Sequence, residues 1–117
     1  MSAQVNEGAD ALNEVRLIGR VSAEPEERVL PSGDTLWTLR VVVGREVQTG
    51  RSRQTVDVLE CAVWTGRVRR SVAAWHAGDV VEVQGALRRR FFQTGGGPAS
   101  RVEVEVVSGR VIRRAAT

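Results

Sequence analysis

Val80-Val81-Glu82-Val83-Gln84-Gly85-Ala86-Leu87-Arg88-Arg89-Arg90-Phe91-Phe92 is the stretch on which the reading of this chain turns. It reads as one long strand with a single internal glycine. Glycine inside a strand marks a bend or a close backbone approach, as the sharp coiling of a small barrel requires. Side chains alternate along a strand, so Arg88, Arg90 and Phe92 lie on one side and Leu87, Arg89 and Phe91 on the other. Of the two phenylalanines, one is expected to face the core. Two guanidinium groups ending in an aromatic ring make a poor core face. They suit a flexible polyanion with stackable bases, that is, single-stranded nucleic acid. A solvated edge strand with a hydrophobic anchor is the plainer reading of the same residues.

Upstream, the apolar period changes. Val68, Val72 and Trp75 fall at i, i+4 and i+7, the buried stripe of a short helix whose wet face carries Arg67, Arg69, Arg70 and Ser71. Ala77-Gly78-Asp79 ends it, with Gly78 as the C-terminal cap. Before the helix, Thr55 to Trp64 and Thr35 to Val43 read as strands, separated by a polar hairpin loop from Gly44 to Arg53 that holds Arg51 and Arg53. From Asn13, Val15, Leu17 and Val21 alternate with Arg16, Ile18 and Arg20 in a first strand interrupted by Gly19. Glu24 to Glu27 is a polar connection, Arg28 to Leu30 a short extension, and Pro31-Ser32-Gly33-Asp34 a turn. Downstream, Gln93 to Ser100 reads as a glycine-rich loop. Arg101 to Val107 is a fifth strand, with Val102, Val104 and Val106 dry and Arg101, Glu103 and Glu105 wet. Ser108-Gly109 turns the chain into a short strand or tail. Three strands, one helix and two strands make an all-β, five-stranded OB-fold Greek-key barrel with one short helix between strands three and four. The domain spans residues 13–112, after a disordered leader (1–12) and before a short basic end (113–117).

Composition sets bounds. A chain of 117 residues holds one domain. No apolar run reaches the ~20 residues of a membrane span, and the polar, acidic start is not a secretory signal. Cys61 is the single cysteine, so no intrachain disulfide forms, and its apolar neighbours read as burial of an inert thiol. The expected location is cytoplasmic, associated with the nucleoid. All 17 basic residues are arginine. The codon usage of a GC-rich genome accounts for most of that bias; the distribution says more. Residues 1–27 hold two arginines and six carboxylates, net −4, whereas residues 28–117 hold fifteen and eight, net +7. A basic body fits a nucleic-acid binder. Enzyme chemistry is poorly supported: one histidine and one cysteine on different elements cannot make a metal site, and Gly95-Gly96-Gly97 lacks the lysine and hydroxyl residue of a phosphate loop. No cofactor is expected. His76 reads as a surface residue capping helix carbonyls, and Trp75 as core. Trp37 stays open between core residue, interface anchor and stacking platform. Trp64, closing a strand before a helix, reads on its own as a core residue.

Asn13-Glu14-Val15-Arg16-Leu17-Ile18-Gly19-Arg20 resembles the opening strand of bacterial single-stranded DNA-binding proteins. Pro31-Ser32-Gly33 is similar to their Pro-x-Gly turn, Trp64 and the following helix to their strand-three aromatic and helix, and Val80 to Arg88 to their glycine-interrupted fourth strand. The resemblance runs from Asn13 to about Ile112. It implies a homotetramer of OB folds that binds and protects single-stranded DNA without sequence preference in replication, recombination or repair. Trp64 and Phe92 match stacking positions, and Arg88 and Arg90 match basic positions; Arg51 and Arg53 are expected at phosphates. Three positions depart from the pattern. Val58 and Val47 stand where aromatics are common, and Glu60 stands where a basic residue is common. An acid there repels phosphate unless an arginine neutralises it. Members often carry an acidic tail that recruits replication and repair enzymes; this chain ends at Arg113-Arg114-Ala115-Ala116-Thr117, so binding without such recruitment is expected. Two other readings stay open: an OB-fold adaptor acting mainly by protein contacts, and an RNA-binding OB module.

Overall fold

The structure, a computed structural model, describes residues 5–6, 10–46, 54–64 and 66–116. The elements in chain order are β1 (Val5–Asn6), β2 (Ala11–Leu12), β3 (Val15–Val21), β4 (Glu26–Val29), β5 (Thr35–Gly44), β6 (Val56–Val63), α1 (Gly66–Ala73), β7 (Val80–Thr94) and β8 (Gly97–Arg113). β1 and β2 pair with each other, inside the stretch expected as a leader. The other strands form one sheet in the order β3-β7-β8-β6-β5-β4, and an additional β3–β5 pairing closes five of them into a barrel. The OB-fold expectation therefore holds. β4 is a short flap on β5, and its pairing starts at Glu26 rather than Arg28. The flap turns through Pro31–Asp34 as expected, with Gly33 at φ 91° and the Leu30 N–H donating to the Asp34 carbonyl at 2.8 Å.

Both strand glycines have a steric reason. A Cβ on Gly19 would strike the Val42 carbonyl where β3 crosses β5, and a Cβ on Gly85 would strike the Glu105 carbonyl at a bulge between β7 and β8. Only glycine lets those backbones approach so closely. The interior is built largely from valines, among them Val21, Val41, Val63, Val81, Val83 and Val106, with Leu39 and Cys61. The helical stripe of Val68, Val72 and Trp75 packs onto it, all three buried as the spacing predicts. Burial pushes the Cys61 thiol up to about 12, which keeps it unreactive.

Several boundaries differ from the sequence reading. α1 stops at Ala73, not at Gly78: the Ala74 and Trp75 N–H groups donate to the Ser71 and Val72 carbonyls and tighten the last turn. Gly78, at φ 90°, instead shapes the turn into β7, and its N–H donates to the Val21 carbonyl at 2.8 Å. The expected loop from Gln93 to Ser100 is the tip of a hairpin, with strand pairing up to Thr94↔Gly97. Ser108-Gly109 is not a turn; β8 runs through it to Arg113. Gly109 is there because Trp75 packs against it, and a Cβ would lie 2.8 Å from the Trp75 ring. The basic end is partly docked. Asp79 is 1% exposed and accepts bonds from the N–H groups of Ala115 (2.8 Å) and His76 (2.9 Å) and from Arg114 Nη1 (2.9 Å). These donors hold its carboxyl below the ordinary range, the Ala115 and His76 N–H groups contributing most.

Candidate nucleic-acid interface

β7 and β8 outrun the barrel, and past Ala86 their paired ends project as a hairpin. From Leu87 to Thr94 every residue is exposed except Arg90, which is half-buried. With no core beneath it, neither phenylalanine is buried: Phe91 is 79% exposed and Phe92 42%. This corrects the expectation that one of them faces inward. The alternation fails on β8 for the same reason. Val102 is 45% exposed, while Glu103, expected wet, is only 6% exposed because arginines of the hairpin close over it.

Trp64 follows directly on β6 and is half-buried, and the hairpin stands across from it. Between them lies a groove of about 400 Å³ lined by Trp64, Arg90, Phe91, Phe92, Arg101 and Glu103, with Arg28, Leu30, Leu36 and Thr38 from the β4–β5 side. The Arg90 guanidinium lies 5.1 Å from the Trp64 ring centre, and the Arg101 guanidinium 5.8 Å from that of Phe92, both within cation–π range. A second cavity of about 270 Å³ shares Arg28, Thr38 and Arg101 with the first and adds Arg40 and Glu60. Together they form a track of aromatic rings and arginines over one side of the barrel.

Of the residues expected at the site, the structure brings Trp64, Phe92 and Arg90 to one groove. Arg88 is exposed, with Nε 3.6 Å from Glu105, and does not line the groove. Phe91, Arg101, Arg28 and Arg40 were missed. Arg101 could have been found, because a tight hairpin puts it opposite Arg90. Trp37 is half-buried away from the groove, beside Arg67, Arg69 and Arg70 of α1. His76 is exposed with Nδ1 3.1 Å from Glu24, rather than on helix carbonyls. Among the described residues no group of three or more metal-ligating side chains occurs, and no helix is long and apolar enough to cross a membrane.

Residues 12–113 match the single-strand binding protein family. The chain belongs to this family. It is 30% identical to single-stranded DNA-binding protein 3 of Listeria innocua, over 86% of this chain and 62% of that protein. It is 27% identical to single-stranded DNA-binding protein A of Bacillus subtilis, over 70% of this chain and 48% of that protein. The chain spans less than two thirds of the length of these relatives. Among solved structures it is similar to a Plasmodium falciparum SSB in complex with ssDNA, with a TM-score of 0.71 and 25% identity over 88% of this chain and 95% of that one.

The structure places two of the three departures from the family pattern. Glu60 is neutralised: Arg40, its cross-strand partner, lies 2.7 Å away. Val58 is 54% exposed and offers an aliphatic surface in place of a ring. Val47, Arg51 and Arg53 lie outside the described residues. The base of their loop is fixed by Arg45, whose Nη2 lies 2.7 Å from Asp57 and whose hydrogen bonds hold the Asp57 carboxyl below its ordinary range.

Proposed function

We propose that this family member binds single-stranded DNA without sequence preference, stacking bases on Trp64 and Phe92 and setting phosphates on arginines. The observation that carries the reading is the single groove holding both rings with a guanidinium at each. Ring faces accept any base, and arginine forks accept any phosphate, so the arrangement reads no sequence. Arg90 and Arg101 are the near cations, with Arg28 and Arg40 extending the path; Arg88, Arg51 and Arg53 would serve phosphates beyond the groove. The names of the relatives and of the solved complex support this substrate. A role in covering strands exposed during replication, recombination or repair, in the cytoplasm at the nucleoid, follows from the same reading.

Self-association belongs to the proposal. β3 pairs with β7 along Val15–Arg20, but with β5 only through Arg20 and Val21. The rest of that edge is unpaired among the described residues and open to a second copy, as a tetramer would use. The test of the function is tryptophan fluorescence during titration with a dT oligomer of about 35 nucleotides, several OB-fold site lengths. Quenching that vanishes in Trp64→Ala supports the reading; absence of binding at low salt excludes it. Competition by an rU oligomer of equal length separates DNA from RNA, and native mass spectrometry gives the oligomer.

A further inference from the structure

Glu103 is a buried carboxylate inside a surface groove, and its two oxygens serve two different arginines. Oε2 lies 3.2 Å from Arg90 Nε, and Oε1 lies 3.7 Å from Arg101 Nε. Each of these arginines sits over one of the two rings, Arg90 over Trp64 and Arg101 over Phe92. Glu105 gives Arg90 a second hold at 3.4 Å. A stacking base needs the face of a ring, and a phosphate needs the edge of a guanidinium. In the free protein Arg90 is held on both counts, by the Trp64 face and a hydrogen bond to Glu103, and Arg101, half exposed, is held in part, near the Phe92 face and in ion-pair range of Glu103.

We propose that Glu103 is an internal stand-in for phosphate, parking Arg90 and Arg101 over Trp64 and Phe92, and that single-stranded DNA enters the groove by displacing it. The phosphates take over the two guanidinium groups while bases take over the rings. The proposal rests on the reading of this groove as the DNA site. It makes Glu103 a positioning residue that sets affinity rather than one that touches DNA. Displacement carries a cost, because Glu103 loses both partners and is left close to incoming phosphates of like charge. The wild-type groove therefore binds less tightly than its rings and arginines allow, and releases DNA more readily. Glutamine at this position keeps the shape and some hydrogen bonding but lacks the charge that holds both arginines.

The test is the dissociation constant for a fluorescein-labelled dT oligomer, long enough to fill one site, measured by anisotropy on the wild type, Glu103→Gln, Glu103→Asp and Glu105→Gln, with thermal unfolding in parallel. Glu103→Gln should bind about tenfold tighter, as for loss of a partly buried competing charge, Glu103→Asp should stay near wild type, and Glu105→Gln should show a smaller gain. A purely structural role for Glu103 gives the opposite result, weaker binding together with a lower unfolding temperature. A folded Glu103→Gln that binds equally or more weakly overturns the proposal. If Glu103→Gln does not fold, Glu105→Gln decides: a gain supports the proposal and no gain overturns it. If the wild type fails to bind dT at low salt, the DNA reading itself falls and takes the proposal with it.

Discussion

Trp64 holds its indole Nε1 buried without a hydrogen-bond partner among the described residues. An unpaired buried donor costs about 1–3 kcal/mol, so stability alone does not explain a tryptophan at this position, and the proposed stacking role supplies a reason for it. Trp64→Phe removes the orphan donor and keeps a platform, so the variant should unfold at or above the wild-type temperature and bind dT nearly as well. Trp64→Ala should weaken dT binding by roughly 1–3 kcal/mol, the worth of one stacked base. Calorimetric unfolding and anisotropy titration of both variants check this. Equal binding by wild type and alanine variant would remove Trp64 from the site. At residue resolution much of this groove was legible: Trp64, Arg90 and Phe92 emerge from strand alternation and from the family resemblance. Glu103 was not. A strand that alternates valine with glutamate reads as wet on its acidic side, and nothing local shows that Arg90 of the neighbouring strand folds over that acid alongside Arg101 of its own.

Elements were legible where period and punctuation agreed. The helical stripe follows from spacing, the Pro31–Gly33 turn from the backbone preferences of proline and glycine, and the barrel from the succession of three strands, a helix and two strands. The misplaced boundaries of β8 share one cause, glycine read as a stop. Gly109 and Gly97 lie inside one seventeen-residue strand. At Gly109 the reason is the Trp75 ring pressed on the backbone, a tertiary contact that a single sequence does not display. Gly85 and Gly19 are the test of this view. A methyl at Gly85 must displace the Glu105 backbone, whereas one at Gly44 meets open space. Gly85→Ala should cost at least the ~1–3 kcal/mol typical of overpacking, and Gly44→Ala should change stability little. Urea unfolding of the two variants measures the difference, and equal midpoints would show that the barrel does not depend on that contact.

At the level of the whole molecule, charge sets how stability and binding respond to solvent. Asp79 is clasped by backbone donors and Arg114, and Glu82 by Arg110 and Arg16. Both carboxyls are held below their ordinary values, Asp79 chiefly by the Ala115 N–H and Glu82 chiefly by Arg110. The folded chain therefore binds these protons less readily than the unfolded chain. Their contribution is complete above the unfolded values of 3.8 and 4.5 and fades as the pH falls through the lowered folded ones. The unfolding temperature should drop on acidification below about pH 4.5, and Asp79→Asn should start lower and drop less steeply; a melting temperature independent of pH there would contradict the clasp. DNA affinity should fall with salt at a logarithmic slope of about −0.7 per phosphate engaged, and a salt-insensitive curve would exclude phosphate contact. The barrel also has a thin seam. β6 and β8 run parallel and meet through Cys61↔Val104 and Ala62↔Glu105. The groove opens directly beside this seam, with Trp64 two residues beyond Ala62 on one wall and Glu103 beside Val104 on the other. The two walls thus meet across a two-residue parallel pairing. Amide hydrogens along the seam should exchange sooner than those of the long β7–β8 ladder, and a strand lying in the groove, by bridging the walls, should slow them.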